Sequence, residues 1–258
     1  MEPTLDLTMW LLICGVGFIA GFIDAIAGGG GMLTVPTLLT AGLPPHIALG
    51  TNKLASTFGT FTASVTFYRK KLFDPLFWRV SLITTAVGAV IGTIIVGMLS
   101  TEFLEKILPV IIMITAAYTL FAKGMVECPD RLPKKSRALT LKQGLQGLTL
   151  GFYDGIAGPG TGAFWTVSSS ALYKVNILLS SGLARANNFI SNLCSLLTFI
   201  YLGYVNVLLG LMMGLFLMLG AWVGAHSAIK HGNKFIRPIF ITVVILMSIK
   251  LAYDAWFS

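Results

Sequence analysis

Ten apolar runs follow one another along the chain, at about 9–27, 30–43, 47–68, 76–99, 103–122, 142–157, 160–173, 179–202, 206–229 and 235–257. A helix needs roughly 20 apolar residues to cross the hydrocarbon core of a bilayer. Six runs are that long: 47–68, 76–99, 103–122, 179–202, 206–229 and 235–257. The other four form two pairs, each broken by glycine. The first break is Gly28-Gly29-Gly30-Gly31 and the second is Gly158-Pro159-Gly160-Thr161-Gly162. An all-α, polytopic membrane protein follows. Charged residues make up only 11% of the 258, less than half the roughly 25% of a soluble domain. An ordinary soluble enzyme, a disordered chain and a nucleic-acid binder are thereby excluded. The net charge of +8 fits the positive-inside rule instead. A signal peptide is not expected, because the head carries Glu2 and Asp6 and no Lys or Arg. Cys14, Cys128 and Cys194 lack metal-like spacing and are expected to be unpaired. His46, His226 and His231 lie near segment ends and form no metal cluster.

The chain repeats itself. GFIDAIAGGG at 21–30 aligns with GFYDGIAGPG at 151–160, and past the break the offset becomes 132. Gly50 then matches Gly182, Lys53 matches Arg185, and Thr66-Phe67 matches Thr198-Phe199. Gly88 and Gly92 match Gly220 and Gly224. So long a period marks a duplicated half, an arrangement typical of transporters. The expected organisation is a first membrane repeat at 1–122, a polar cytoplasmic linker at 123–141 and a second membrane repeat at 142–258.

Basic residues choose between two topologies. Eight full spans would make the halves parallel and divide the loop Lys and Arg 11 against 5. If each glycine-broken segment is a re-entrant hairpin, six full spans remain and the halves are inverted. The same residues then divide 14 against 2, with only Lys106 and Lys250 outside. Positive charge prefers the cytoplasm, so the inverted arrangement is favoured, with both termini outside.

The breaks are the first candidate site. Non-helical backbone inside a bilayer survives only against protein or a watery cavity. Each break starts a half-helix, expected at Met32 and Ala163, whose N-terminus offers free N–H groups and partial positive charge. Two such ends meeting from opposite faces would make a midplane anion site, with Gly29, Gly30, Gly31, Gly160, Thr161 and Gly162 at the ligand. The alternative is that the glycines only permit close packing. Lys53 and Arg185 lie inside long apolar runs, where a cation costs about 2.5–3.5 kcal/mol. Attraction of an anion would account for them, with Arg185 able to grip two oxygens; snorkelling or a structural ion pair is the alternative. Around them, Thr51 and Asn52 in one half and Asn188 and Asn192 in the other are candidate substrate contacts. Asp24 and Asp154 each precede a break by four residues. They could relay a proton, pair with the cations, or hold the hairpin shape, and the last role is favoured. Gly88/Gly92 and Gly220/Gly224 read as packing surfaces, with Gly92→Ala expected to cost little.

The pair GFIDAIAGGGGMLTVP and GFYDGIAGPGTGAFW, with GTNK at 50–53, resembles the sulfite exporter TauE/SafE family of membrane transporters. GLAR at 182–185 stands where that family usually has a GTxK-like motif, so a threonine role there is not carried over. The resemblance implies transport of a small sulfur anion such as sulfite, thiosulfate or sulfoacetate. The expected function is a secondary anion transporter in the plasma membrane, of bacterial inner-membrane type. An intramembrane enzyme is the alternative, but no GxSxG elbow is present, nor a P-loop for ATP. The expected partners are a small anion and the lipid bilayer, without metal, cofactor or nucleic acid.

Overall fold

A computed structural model describes residues 6–121 and 131–231. The expected span at 235–257, Cys128 and part of the linker lie outside the described residues. Within them the chain is helical and no strand occurs. The helices are α1 (Leu7–Ala27), α2 (Gly31–Thr40), α3 (Pro45–Arg69), α4 (Arg79–Met98), α5 (Thr101–Phe121), α6 (Arg137–Ile156), α7 (Thr161–Tyr173), α8 (Ile177–Tyr201) and α9 (Val207–His231). Local chemistry sets several starts. Asp6, Ser136 and Asn176 each accept an N–H from the first turn of α1, α6 and α8, and Pro45 opens α3. The half-helices α2 and α7 start at Gly31 and Thr161, slightly earlier than the expected Met32 and Ala163.

Among the described residues, α1, α4 and α9 are long and apolar enough to cross a membrane. α3 and α8, at 25 residues each, run for about 37 Å and so have the length. Their polar residues are turned inward: Thr51, Asn52, Lys53, Arg185, Asn187, Asn188, Ser191 and Asn192 are all buried. Apolar side chains such as Phe18, Ile83, Ile94, Leu197, Leu215 and Trp222 are exposed instead. A polar core inside an apolar coat is the packing expected of a chain whose solvent is lipid.

Close contacts fix the helix directions. A Cβ on Gly21 would lie 2.1 Å from the Leu217 carbonyl oxygen, and one on Gly224 would lie 2.5 Å from that of Phe22. α1 and α9 therefore run parallel. α3 also runs parallel to α9, since Gly210 meets Leu54 and Gly214 meets Phe58. α4 and α6 are parallel, with Gly147 on Ser81 and Gly155 on Ala89. α3 and α8 are antiparallel: Gly50 meets Phe199, the Phe61 and Phe189 rings lie 5.2 Å apart, and Gly182 meets Phe67. Gly50 and Gly182, like Phe67 and Phe199, are partners in the sequence repeat, so one contact occurs twice with the halves exchanged.

The GxxxG pairs behave the same way. A Cβ on Gly88 or Gly92 would lie 2.3 Å from the Leu148 or Phe152 carbonyl, and one on Gly220 or Gly224 would lie 2.0 or 2.5 Å from that of Phe18 or Phe22. These are packing surfaces, as expected, but the contacts are backbone-tight. The expected low cost of Gly92→Ala is therefore wrong, because no flexible side chain is there to yield.

Candidate functional site

The two breaks touch. α1 ends on Gly28 in the left-handed region (φ 82°), where its N–H donates to the Asp24 carbonyl at 2.9 Å. Gly158 and Gly160 have φ of 89° and 75°, again conformations that favour glycine. The Gly28 carbonyl accepts the N–H of Ala163 at 3.2 Å, and a Cβ on Gly28 would lie 2.2 Å from the Gly162 carbonyl carbon. Gly31 faces Pro159 similarly, with 3.3 Å from its would-be Cβ to the proline Cα. For the glycines, the described arrangement shows the close packing that was the alternative to a ligand role. They permit close backbone approach, and the partner in the described arrangement is the other break.

The charges pair across the repeat. Lys53 of the first half donates to Asp154 of the second, at 2.8 Å to Oδ1 and 2.5 Å to the backbone carbonyl. Arg185 of the second half meets Asp24 of the first: Nη1 donates to the Asp24 carbonyl and lies 3.6 Å from Oδ2. Both cations sit against the second break. A Cβ on Gly158 would lie 3.0 Å from Lys53 Nζ, and one on Gly162 would lie 3.0 Å from Arg185 Nη1. Lys53 and Arg185 are 1% and 0% exposed, so neither snorkels to water.

The two pairs differ in how well they are satisfied. Asp154 also accepts from the Ser191 hydroxyl, and Thr161 Oγ1 lies 3.1 Å from its Oδ1. Arg185 has capacity to spare. Its Nη2 reaches Gly162 O and Thr166 Oγ1 only at 3.5 and 3.4 Å, beyond the usual 2.7–3.2 Å, and its buried Nε has no hydrogen-bond partner. A guanidinium carries five N–H donors in a fork that fits an oxyanion. Leaving one unused in a dry site is costly unless a ligand or water takes it.

Other expected site residues divide between this centre and its scaffold. Asp24 also takes the Gly30 N–H at 3.1 Å, a hydrogen bond to the backbone of the first break. That engagement removes the Gly30 donor from any ligand, and a Cβ on Gly30 would meet the Asp24 Cβ at 2.8 Å. Gly29 and Gly160 lie buried in the two turns. Thr51 accepts the N–H of Asn206, 2.9 Å away, and so anchors the turn before α9. Asn52 accepts from Thr34 at 2.5 Å and from Ser56 at 3.3 Å, joining α2 to α3. Asn192 donates to the Asn188 carbonyl at 2.7 Å and to its side-chain oxygen at 3.1 Å, one turn away on the same face. Three contributors, Ser191, Thr34 and Thr166, lie outside the expected substrate contacts, although Ser191 stands in the sequence among the polar residues around Arg185. Ser191 has Gly59 as its repeat mate, so the duplication gives no signal for it. Thr34 and Thr166 do align at the offset of 132, and each donates back to the glycine four residues earlier, at 3.2 and 2.8 Å. Their alignment was the usable signal. Among the described residues no group of His, Cys, Asp and Glu could hold a metal. His46 instead ties α3 to the end of α4, its Nε2 lying 3.2 and 3.1 Å from Val96 O and Leu99 O.

Residues 13–251 match the family described as TauE, Sulfite exporter TauE/SafE. Over 262 residues the chain is 37% identical to a "Probable membrane transporter protein" of Haemophilus influenzae, covering 100% of this chain and 99% of that one. It is 37% identical over 239 residues to "Probable membrane transporter protein ORF9" of Sinorhizobium sp, covering 92% and 90% of the two chains. A third similar protein, "Probable membrane transporter protein YfcA" of Escherichia coli K12, is 36% identical over 241 residues, covering 93% and 88%.

Proposed function

Because the chain belongs to the sulfite exporter TauE/SafE family and is a membrane transporter of bacterial inner-membrane type, we propose that its cargo is a small sulfur anion of the sulfite, thiosulfate or sulfoacetate type. The site is the junction of the two breaks, with Arg185 and Lys53 as anion ligands and Thr166 beside them. The carrying observation is Arg185, wholly buried yet with an unpartnered Nε and two over-long Nη2 contacts. An oxyanion in reach of that fork would satisfy donors the protein leaves unsatisfied.

The chain is built as two inverted repeats, 1–122 and 142–258, joined by a cytoplasmic linker at 123–141. Two observations support this. The repeat mates α3 and α8 are antiparallel, and α1 and α3 both run parallel to α9. If α1 and α3 share a direction, α2 has to bring the chain back, which makes α1–α2 a hairpin. Rocking of one repeat against the other around a central site would expose the anion to each side in turn.

Uptake of radiolabelled thiosulfate and sulfite into proteoliposomes tests the function. Wild type should accumulate the anion unchanged. Arg185→Ala and Lys53→Ala should lose transport while remaining folded in detergent, and Arg185→Lys should recover only part, because an ammonium lacks the fork. Full flux in both alanine variants would remove the anion site from this junction.

A further inference from the structure

We propose that the anion is cotransported with protons carried by Asp154 and Asp24, one proton for each negative charge on the anion. The proposal rests on the anion-transport reading above. Asp24, Lys53, Asp154 and Arg185 are all buried at the breaks, and their charges sum to zero. A dry protein interior penalises net charge heavily. An anion that enters this group leaves it negative unless a carboxylate becomes neutral. Protonation does two things at once: it restores neutrality, and it weakens the carboxylate's hold on its cation, which can then turn to the anion. A dianion needs two protons, and two carboxylates are present, each facing one cation.

Asp154 is built to accept either protonation state. Ser191 donates to the carboxylate and can accept from a carboxylic acid by rotating, and Thr161 Oγ1, which also donates to Gly158 O at 2.7 Å, can accept from the acid at 3.1 Å. Asp24 keeps the Gly30 N–H on Oδ1 in both states, while Oδ2, with its looser 3.6 Å ion pair, can carry the proton. No other charge among the described residues faces them. On α3, His46 is turned to Val96 and Leu99, and Arg69 is in the last turn. Arg79 opens α4, Glu102 and Lys106 pair with each other at the exposed start of α5 beside the exposed Glu105, Arg137 and Lys142 lie near the start of α6, and His226, Lys230 and His231 lie towards the end of α9. α2 and α7 carry no charged residue, and the hydroxyls of Tyr153 on α6 and Tyr173 on α7 are committed to Pro159 O and Gln146 Oε1. In each cycle a carboxylate gains a proton on the side where the anion enters and returns it on the other. No electron changes hands.

The test uses wild-type protein in vesicles near neutral pH, with a trapped pH dye and with thiosulfate and sulfoacetate, both dianions without a titratable proton there. The expected result is two protons entering per dianion, uphill accumulation driven by a pH gradient, and a rate unmoved by a valinomycin-imposed potential. Asp154→Asn should lower the ratio to one proton per dianion and make the flux respond to potential. Dianion flux without proton movement, or an unchanged two-proton ratio in Asp154→Asn, would overturn the proposal while leaving anion transport standing. Should Asp154→Asn fail to fold, the wild-type ratio alone decides. If sulfite, thiosulfate and sulfoacetate all fail to move, the transport reading falls and the coupling falls with it.

Discussion

Breaking the Lys53–Asp154 pair from one side should destabilise the fold far more than removing both charges. Removing one member of a buried ion pair strands the other and costs about 3–5 kcal/mol. The geometry places Asp154→Asn near the lower bound, because Lys53 keeps the Asp154 backbone carbonyl, its other acceptor at 2.5 Å. Lys53→Met leaves Asp154 with the Ser191 and Thr161 hydroxyls, so about 3 kcal/mol is again expected. For a chain of this length each kcal/mol shifts Tm by about 2–4 °C, so each single variant should melt roughly 6–12 °C below wild type. The double variant Lys53→Met/Asp154→Asn buries no stranded charge. Its amide still meets the two hydroxyls, and its Tm should lie above that of either single variant. The assay is thermal melting in detergent near neutral pH, read by intrinsic fluorescence over the full double-mutant cycle. A double variant whose loss equals the sum of the singles would refute the pairing, as would singles that melt within about 1 °C of wild type.

Helix packing and topology give the other predictions. Gly88→Ala puts a Cβ 2.3 Å from the Leu148 carbonyl and should cost at least the 1–3 kcal/mol typical of overpacking. Gly15→Ala has nothing within 4 Å of its new Cβ and should be neutral or slightly stabilising, which melting of both variants will show. Cysteines introduced at Lys71 and at His231 in a Cys-less background should both label only from the cytoplasmic side, because α3 and α9 run parallel. Labelling from opposite sides would restore the eight-span, parallel-repeat arrangement.

Much of the site was legible in the sequence because the duplication marks it. The two breaks, Lys53 with Arg185, and Asp24 with Asp154 all stand out as matched polar features in apolar runs. What a repeat cannot reveal is which half supplies each partner. Spacing along α1 and α3 is compatible with Lys53 meeting Asp24, yet the helices bring it to Asp154, and that depends on the antiparallel crossing of α3 and α8. Thr51 and Asn52 were legible as buried polar residues, but their partners Asn206 and Thr34 belong to other segments, so their scaffold roles were hidden. The cost of a methyl at Gly92 is hidden for a similar reason: GxxxG states that something packs there, and only the fold says that it is the Phe152 carbonyl. Among the described residues α1, α4 and α9 are long and apolar enough to cross, whereas α3 and α8, expected as spans from the runs at 47–68 and 179–202, have their apolar character diluted by buried polar residues.

The claim that an oxyanion binds where the breaks meet is tested most directly by anomalous diffraction from crystals grown with selenite, the selenium analogue of sulfite. A basic cleft away from the breaks provides the natural competitor, a cavity of about 270 Å³ lined by Arg69, Lys70 and His226 between α3 and α9. The expected result is a selenium peak within hydrogen-bond reach of Arg185 Nε and close to Lys53 Nζ, lost in Arg185→Ala. A peak confined to the Arg69–Lys70–His226 cleft, with none at Arg185, would contradict it.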